Sequence, residues 1–274
     1  MINLDEVELT DAQFRKLADL LFKLSGITLK EHKKYLLINR LSKFVGAGKD
    51  FTNFEDYYNA LNEDKSGKLM INFVNVLTTN FSYFFREEVH FDFFKKYILD
   101  NYKKEHYLRF WSAACSTGEE PYSLSIALTQ SLPPGAYRDV KILATDISTR
   151  VLEFAQKGVF HYTKVRGHVE DKDLRTYFIF DKNNKDFIVK DHIKNNISFR
   201  YLNLLDNYPF KKQFDIVFLR NVLIYFDNKE KEFIINKIAE YLKPNGYLIL
   251  GLSESLVGIK HKLNGMKNSI YCNN

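Results

Sequence analysis

Apolar residues recur at helical spacing near the start of the chain, where Leu9, Phe14, Leu17, Leu20, Leu21 and Leu24 mark one face of a helix over 9–24. Thr10 precedes it as a candidate N-cap, and Gly26 follows as a stop. A second helix is expected from about Lys30 to Phe44, ended by Gly46-Ala-Gly48. A third runs from Phe51 to Leu61 with its cap at Thr52 or Asn53, and a fourth from Leu69 to Thr79, after the polar turn at 62–68. From Tyr107 the chain alternates: strand 107–112, helix 119–131, strand 139–145, helix 148–157, strands 197–203 and 214–219, helix 229–243, strand 246–252 and a closing hairpin near 257–273. Such alternation predicts a mostly parallel, doubly wound α/β sheet with helices on both faces, preceded by a small all-α domain. The expected divisions are 1–80 for the helical domain, 81–106 for a linker and joining helix, and 107–274 for the sheet domain.

One stretch interrupts the alternation. Residues 158–196 contain Phe160-His-Tyr, a charged helix around Glu170–Tyr177, and two short apolar strands, Phe178–Phe180 and Phe187–Lys190, around the turn 181–186. They read as a hairpin inserted into the sheet, a small antiparallel β-subdomain. Upstream, six phenylalanines and Tyr83 crowd between Phe81 and Phe94 and read as core. Asn80, Ser82 and Arg86 are polar residues interleaved with that run, where the two domains join and ligand clefts tend to form.

With 274 residues, 45% hydrophobic and 15% aromatic, the chain can bury a sizeable core, which excludes general disorder. No apolar run reaches the ~18 residues of a bilayer span. The start, Met1-Ile-Asn-Leu-Asp-Glu, has neither the basic stretch nor the apolar core of a signal peptide, so a cytoplasmic protein is expected. Two cysteines, Cys115 and Cys272, are too few for a disulfide framework or a four-ligand zinc site, and both read as reduced structural residues; no metal is expected. The seven histidines are scattered, and His161 and His168 read as exposed loop residues. The net charge is +6, with Lys30, Lys33, Lys34, Arg40, Lys43 and Lys49 facing only Glu31 within 30–49. Such a surface suits solvent, or an acidic partner, nucleic acid or anionic lipid.

The candidate chemistry lies at strand ends. Residues 109–114 form an apolar strand end, 115–118 a small-residue turn, and Pro121 occupies a first helical turn, where its missing N–H costs little. The next strand, Lys141–Thr145, ends in Asp146, placed to accept hydrogen bonds from ribose hydroxyls. The turn lacks G-x-G-x-x-G spacing, yet both segments point to a bound nucleoside. Ligands of doubly wound sheets sit at the carboxyl ends of the strands, where Ser112–Gly118, Asp146, Asn203 and Arg220 all fall.

The wording of these segments is more specific than their pattern. Ser112-Ala-Ala-Cys-Ser-Thr-Gly-Glu-Glu-Pro-Tyr-Ser123 closely resembles the signature of the CheR family, S-adenosylmethionine-dependent methyltransferases that esterify glutamates of bacterial chemotaxis receptors. In the same order follow further likenesses: Leu77-Thr-Thr-Asn-Phe-Ser-Tyr-Phe-Phe-Arg-Glu87, Asn203-Leu-Leu205, Phe214-Asp-Ile-Val-Phe-Leu-Arg-Asn-Val-Leu-Ile-Tyr-Phe226, Lys237–Leu248 and Gly251-Leu-Ser-Glu254. The first helices agree as well, through residues 26–34 and Asn39-Arg-Leu41, so the resemblance spans nearly the whole chain.

The resemblance implies a Rossmann-like methyltransferase sheet, S-adenosylmethionine as cofactor with S-adenosylhomocysteine as product, and chemoreceptor cytoplasmic helices as partners. It assigns Asn80, Ser82, Arg86, Ala113, Glu119, Asp146, Asn203, Leu204, Arg220 and Asn221 to the cofactor site. Within it, Glu119 would take the methionine amino end, Asp146 the ribose, and Asn203 with Leu204 the adenine. Arg220, Asn221 and Tyr225 would form the catalytic group beside the transferable methyl. The helical domain would dock on receptors, and in some members the β-subdomain holds a receptor C-terminal peptide by strand addition. Two positions depart from the pattern: Ser82 stands where threonine is frequent, and only lysines, Lys103 and Lys104, stand where some relatives use an arginine.

Chemically, a glutamate carboxylate (reference pKa about 4.3) is already ionised at neutral pH, so its methylation requires no general base. Two other classes compete. A nucleic-acid methyltransferase would need an Asn- or Asp-Pro-Pro-aromatic element after the fourth strand or a nucleophilic cysteine, and this chain has Arg220-Asn-Val-Leu there. A non-catalytic S-adenosylmethionine sensor would be expected to lose Asn80, Arg86, Glu119, Asp146 or Arg220. A monomeric enzyme, without nucleic-acid partner or membrane insertion, is expected.

Overall fold

The structure, a computed structural model, describes residues 8–103, 105, 107–132 and 139–274. Lys104 and the start of the chain lie outside the described residues. The described residues form two compact units: one runs to Thr79 and includes Tyr225–Asp227, and the other comprises Asn80–Ile224 with Asn228–Asn274.

The first unit is helical. Helix α1 (Asp11–Ser25) starts with a reciprocal box, in which the Thr10 hydroxyl accepts the Gln13 N–H at 3.3 Å and the Gln13 side chain accepts the Thr10 N–H at 3.0 Å. Gly26 ends it at φ 73°, a left-handed conformation that suits glycine. The second helix is shorter than its apolar pattern suggests: a 3-10 turn at Glu31–Lys33 leads into α2 (Lys34–Leu41). Asn53 caps α3 (Phe54–Glu63), accepting the N–H groups of Glu55 and Asp56 at 3.0 Å each. Helix α4 (Lys68–Leu77) ends on Arg40, whose guanidinium donates to the carbonyls of Leu77 at 2.6 Å and Thr78 at 2.8 Å and to the Thr79 hydroxyl at 2.9 Å. Arg40 therefore leaves the basic surface expected of 30–49, and Lys34 is paired with Asp11 at 2.6 Å. Lys30, Lys43 and Lys49 remain exposed there.

The second unit begins with the segment 80–88 and α5 (Val89–Asn101), which packs on α6. Its elements continue as β1 (Tyr107–Ala113), α6 (Glu119–Ser131), β2 (Asp139–Asp146), α7 (Thr149–Lys157), β3 (Val159–His161), α8 (Tyr162–Val165), α9 (Asp171–Tyr177), β4 (Phe178–Asp181), β5 (Asp186–Val189) and α10 (Asp191–Lys194). The chain closes with β6 (Ile197–Tyr201), β7 (Phe214–Leu219), α11 (Asn228–Glu240), β8 (Leu242–Leu250), β9 (Asn264–Gly265) and β10 (Ile270–Asn273). The main sheet has the order β6-β2-β1-β7-β8-β10-β9, parallel through β8 and antiparallel at β10 and β9. The chain moves outward from β1 to β2 and β6, then returns to set β7 on the other side of β1. That reversal makes the carboxyl ends of β1 and β7 the switch point at which such sheets bind ligands.

Every residue of β7 is buried, as a strand covered on both faces requires. On β1, Phe110 meets Phe94 of α5 edge-on at 4.7 Å between ring centroids. Its neighbour Trp111 points to the opposite face, against Tyr208 and Phe210.

Several expectations need correction. The expected hairpin forms as β4 and β5, and a third strand, β3, adds to its β5 edge; Val159–His161 is too short to show a period in the sequence. His161 ends β3 and is not a loop residue. β8 begins at Leu242 and α11 stops at Glu240, because Leu242 already pairs with Phe214 of β7, ahead of the register shift between Phe214 and Ile216. Of the phenylalanine run, Phe84, Phe91 and Phe94 are core, but Phe81 is 68% exposed. Among the described residues no helix is long and apolar enough to cross a membrane.

Candidate functional site

The turn after β1 is built on unusual backbone. Ala114 (φ 62°), Ser116 (φ 51°) and Gly118 (φ 97°) are all left-handed, which folds 114–118 tightly over the strand end. Gly118 has a second reason to lack a side chain: a Cβ there would stand 2.9 Å from the Ala155 Cβ on α7. α6 then begins at Glu119, which is buried and accepts the Thr117 hydroxyl at 2.7 Å.

Asp146, the last residue of β2, holds this turn in place. Its Oδ2 accepts the Ser116 N–H at 2.8 Å and its Oδ1 the Ser148 N–H at 2.9 Å. Burial pushes its carboxyl above the ordinary value, against the stabilising pull of those N–H groups. The Ile147 N–H adds to that pull, and the roughly four acceptor positions of a carboxylate still leave room for a hydroxyl donor. The neighbouring strand end follows directly, because the Asp146 carbonyl accepts the Leu202 N–H at 3.1 Å. There Asn203 and Leu204 are buried, with Asn203 Oδ1 on the Leu205 N–H at 3.1 Å.

The segment 80–88 crosses the same strand ends. The Asn80 carbonyl accepts the Ser116 hydroxyl at 3.1 Å, and the Phe85 N–H donates to the Ser123 hydroxyl at 2.9 Å. Arg86 rests over the rings of Phe81 and Tyr83, 5.8 and 5.5 Å from their centroids. Ser82 lies half-buried between them, and Ala113 is buried at the end of β1.

Arg220 follows β7 and is buried between two carboxylates. Its Nη1 donates to Glu120 at 2.7 Å, and its Nη2 donates to Glu87 at 3.0 Å and to the Arg86 carbonyl. Asn221, at φ 57°, donates its N–H to Glu254 at 2.7 Å, and Glu254 also accepts the N–H groups of Leu223 and Gly251. Burial raises the Glu254 carboxyl against those bonds. Tyr225 belongs instead to the first unit, where its carbonyl accepts the Thr28 N–H at 3.0 Å. Cys115 is buried, which pushes its thiol well up and makes it a poor nucleophile at neutral pH.

Asn80, Ser82, Arg86, Ala113, Glu119, Asp146, Asn203, Leu204, Arg220 and Asn221 thus occupy one end of one sheet or the segment laced across it. Missing from the sequence reading are Glu87, Glu120 and Glu254. All three sit inside the quoted motifs, but nothing in a sequence says which distant donors they hold.

The residues fit S-adenosylmethionine. Asp146 offers acceptors for a ribose diol, and Glu119 offers one for an ammonium group. The buried Nε of Arg220 has no partner among the described residues, so a donor is left for a bound acceptor. Two carboxylates around one guanidinium leave net negative charge suited to a sulfonium. Among the described residues no group of three or more His, Cys, Asp or Glu is placed to hold a metal ion.

Comparison with known proteins agrees over both units. The family described as CheR methyltransferase, SAM binding domain, matches residues 80–272, and its all-alpha domain matches 12–78. A chemotaxis protein methyltransferase of Borreliella burgdorferi is 36% identical over 263 residues, covering 93% of this chain and 92% of that protein. The one from Vibrio parahaemolyticus is 35% identical, covering 93% and 94%, and the one from Escherichia coli 33%, covering 97% and 92%. With its sheet order, its strand-end site and these matches, the chain belongs to the CheR family of S-adenosylmethionine-dependent methyltransferases.

Proposed function

We propose that the protein transfers a methyl group from S-adenosylmethionine to glutamate side chains of chemoreceptor cytoplasmic helices, forming methyl esters in chemotaxis adaptation. The observation that carries this is the convergence of Asp146, Glu119 and Arg220 at the carboxyl ends of parallel strands beside the switch point. When bound, the cofactor supplies an electrophilic methyl, whose bond to sulfur breaks as a carboxylate oxygen attacks, leaving S-adenosylhomocysteine and the ester.

The chain's own residues bind, orient and exclude water. Asp146 accepts from the ribose hydroxyls, Glu119 from the amino end, and Asn203 with Leu204 borders the adenine. Arg220 and Asn221 stand beside the transferable methyl. Asn80, Ser82, Ala113 and Arg86 complete the cofactor pocket. No proton has to be removed, because the attacking carboxylate is ionised at neutral pH. Alignment and desolvation of that carboxylate provide the acceleration. The helical domain docks on acidic receptor helices through its exposed Lys30, Lys43 and Lys49, and the enzyme acts as a cytoplasmic monomer.

The test is methyl transfer from labelled S-adenosylmethionine to receptor cytoplasmic fragments, followed by mild base. Label released as methanol is the expected result, since only a carboxyl ester releases it. Cofactor binding without transfer to any receptor fragment would refute the proposal and favour a sensor.

A further inference from the structure

We propose that Glu87 and Glu120 are positioning residues for methyl transfer, a two-carboxylate clamp that fixes the Arg220 guanidinium and joins three strand ends and the 80–88 segment into one site. The inference rests on the methyltransferase function above for its kinetic meaning; the clamp itself stands on geometry. The Arg220 side chain is 2% exposed, and both of its terminal nitrogens are taken, Nη1 by Glu120 at 2.7 Å and Nη2 by Glu87 at 3.0 Å. With both occupied, Arg220 has no free two-pronged edge for a substrate carboxylate. Its value to the reaction is therefore where it stands and what it ties together.

Each clamp carboxylate spends its other oxygen on a different segment. Glu120 Oε1 accepts the hydroxyl of Ser112, a buried residue of β1, at 2.6 Å. Glu87 Oε1 accepts the N–H of Leu252, in the turn after β8, at 3.1 Å. The ends of β1, β7 and β8 are thus linked through two side chains to the 80–88 segment, which carries Asn80, Ser82 and Arg86. Glu87 itself is held at φ 60°, a conformation that a residue with a Cβ adopts only when its surroundings dictate it. Arg220 reinforces that backbone by donating to the carbonyl of the preceding residue, Arg86. Removing one carboxylate leaves one guanidinium nitrogen without its charged partner, and the group free to turn. The methyl donor and acceptor would then lose alignment, while the ribose and amino-end contacts of Asp146 and Glu119 remain.

The experiment uses the full chain with Glu87→Gln and Glu120→Gln. Each is expected to lower kcat for base-labile methyl transfer by about 10- to 100-fold. KM for S-adenosylmethionine and the calorimetric affinity for S-adenosylhomocysteine should stay within about threefold. In the protein alone, nitrogen-15 NMR should show hindered, separately resolved Arg220 Nη signals that merge in either variant. An unchanged kcat, a loss confined to KM, or Arg220 signals unaltered by both substitutions would overturn the proposal. If the wild-type protein itself transfers no methyl group, the methyltransferase function fails instead, and the NMR signals still decide the clamp. Should Glu87→Gln not fold, Glu87→Asp keeps the charge but shortens the reach, and the same fall in kcat is expected.

Discussion

Asp146 accepts the backbone N–H of Ser116 at 2.8 Å, so the residue expected to meet a ribose also shapes the turn that faces it. Replacing Asp146 by Ala should remove both roles. S-adenosylhomocysteine affinity should fall by about 1–3 kcal/mol, the scale of lost hydrogen bonds to a charged acceptor. Asp146→Asn, which keeps one carbonyl oxygen, should lie between. Isothermal calorimetry decides it, and unchanged affinity in the Ala variant would remove Asp146 from the site.

Gly118 is required by packing as well as by its φ of 97°, since an added Cβ would stand 2.9 Å from the Ala155 Cβ and 3.3 Å from the Ala155 Cα. Gly118→Ala should therefore cost about 1–3 kcal/mol through overpacking, in addition to the conformational penalty. Gly167→Ala is the control, with φ 85° and nothing within 4 Å of the added atom. Its loss should be about 1 kcal/mol, from conformation alone. Equal losses in thermal unfolding would show that α7 simply moves aside.

Arg40 satisfies carbonyls that the end of α4 leaves open. Arg40→Ala should destabilise the helical unit by about 1–3 kcal/mol, and Arg40→Lys should recover only part, because one ammonium cannot reproduce the fork. Urea unfolding followed by circular dichroism measures both.

His90 is fully buried, with Nε2 2.8 Å from the Asn268 carbonyl and Nδ1 3.5 Å from Glu87. Burial lowers its pKa, assisted by the charge of Arg220, although Asn268 and Glu87 oppose the shift. A lowered folded value means that the unfolded chain binds the proton first. Stability from His90 is thus complete above its unfolded value, about 6.5, and declines as pH falls toward its folded value. Burial would raise the Glu87 carboxyl, but the Arg220 charge and hydrogen bond outweigh it and hold it low. Its contribution is lost in the same direction, at more acidic pH. Melting temperature should fall between pH 7 and pH 5, with a shallower fall in His90→Gln. An equal slope in that variant would remove His90 as the cause.

Much of the fold was legible because its causes are local. The α1 cap at Thr10, the stop at Gly26 and the strand–helix alternation from Tyr107 arise from residues a few positions apart. The motif wording likewise identified the strand-end residues that the sheet order brings to one end. Where local signals were short or doubly interpretable, the outcome differed. β3 has three residues, too few for a period, and Phe81 has the composition of a core residue but stays largely exposed, with Tyr83 and Arg86 beside its ring.

The sequence by itself determined the architecture, the family and the polar residues at the strand ends, because helix and strand periods and motif spacing are written in neighbouring positions. Only the tertiary structure decided what those residues hold. Arg220 meets Glu120 across 100 positions and Glu87 across 133, and Arg40 leaves the surface to cap a helix 37 residues away. Such partners are chosen by which buried donors and acceptors the folded sheet and helices bring within 3 Å, a quantity that no single stretch of chain contains.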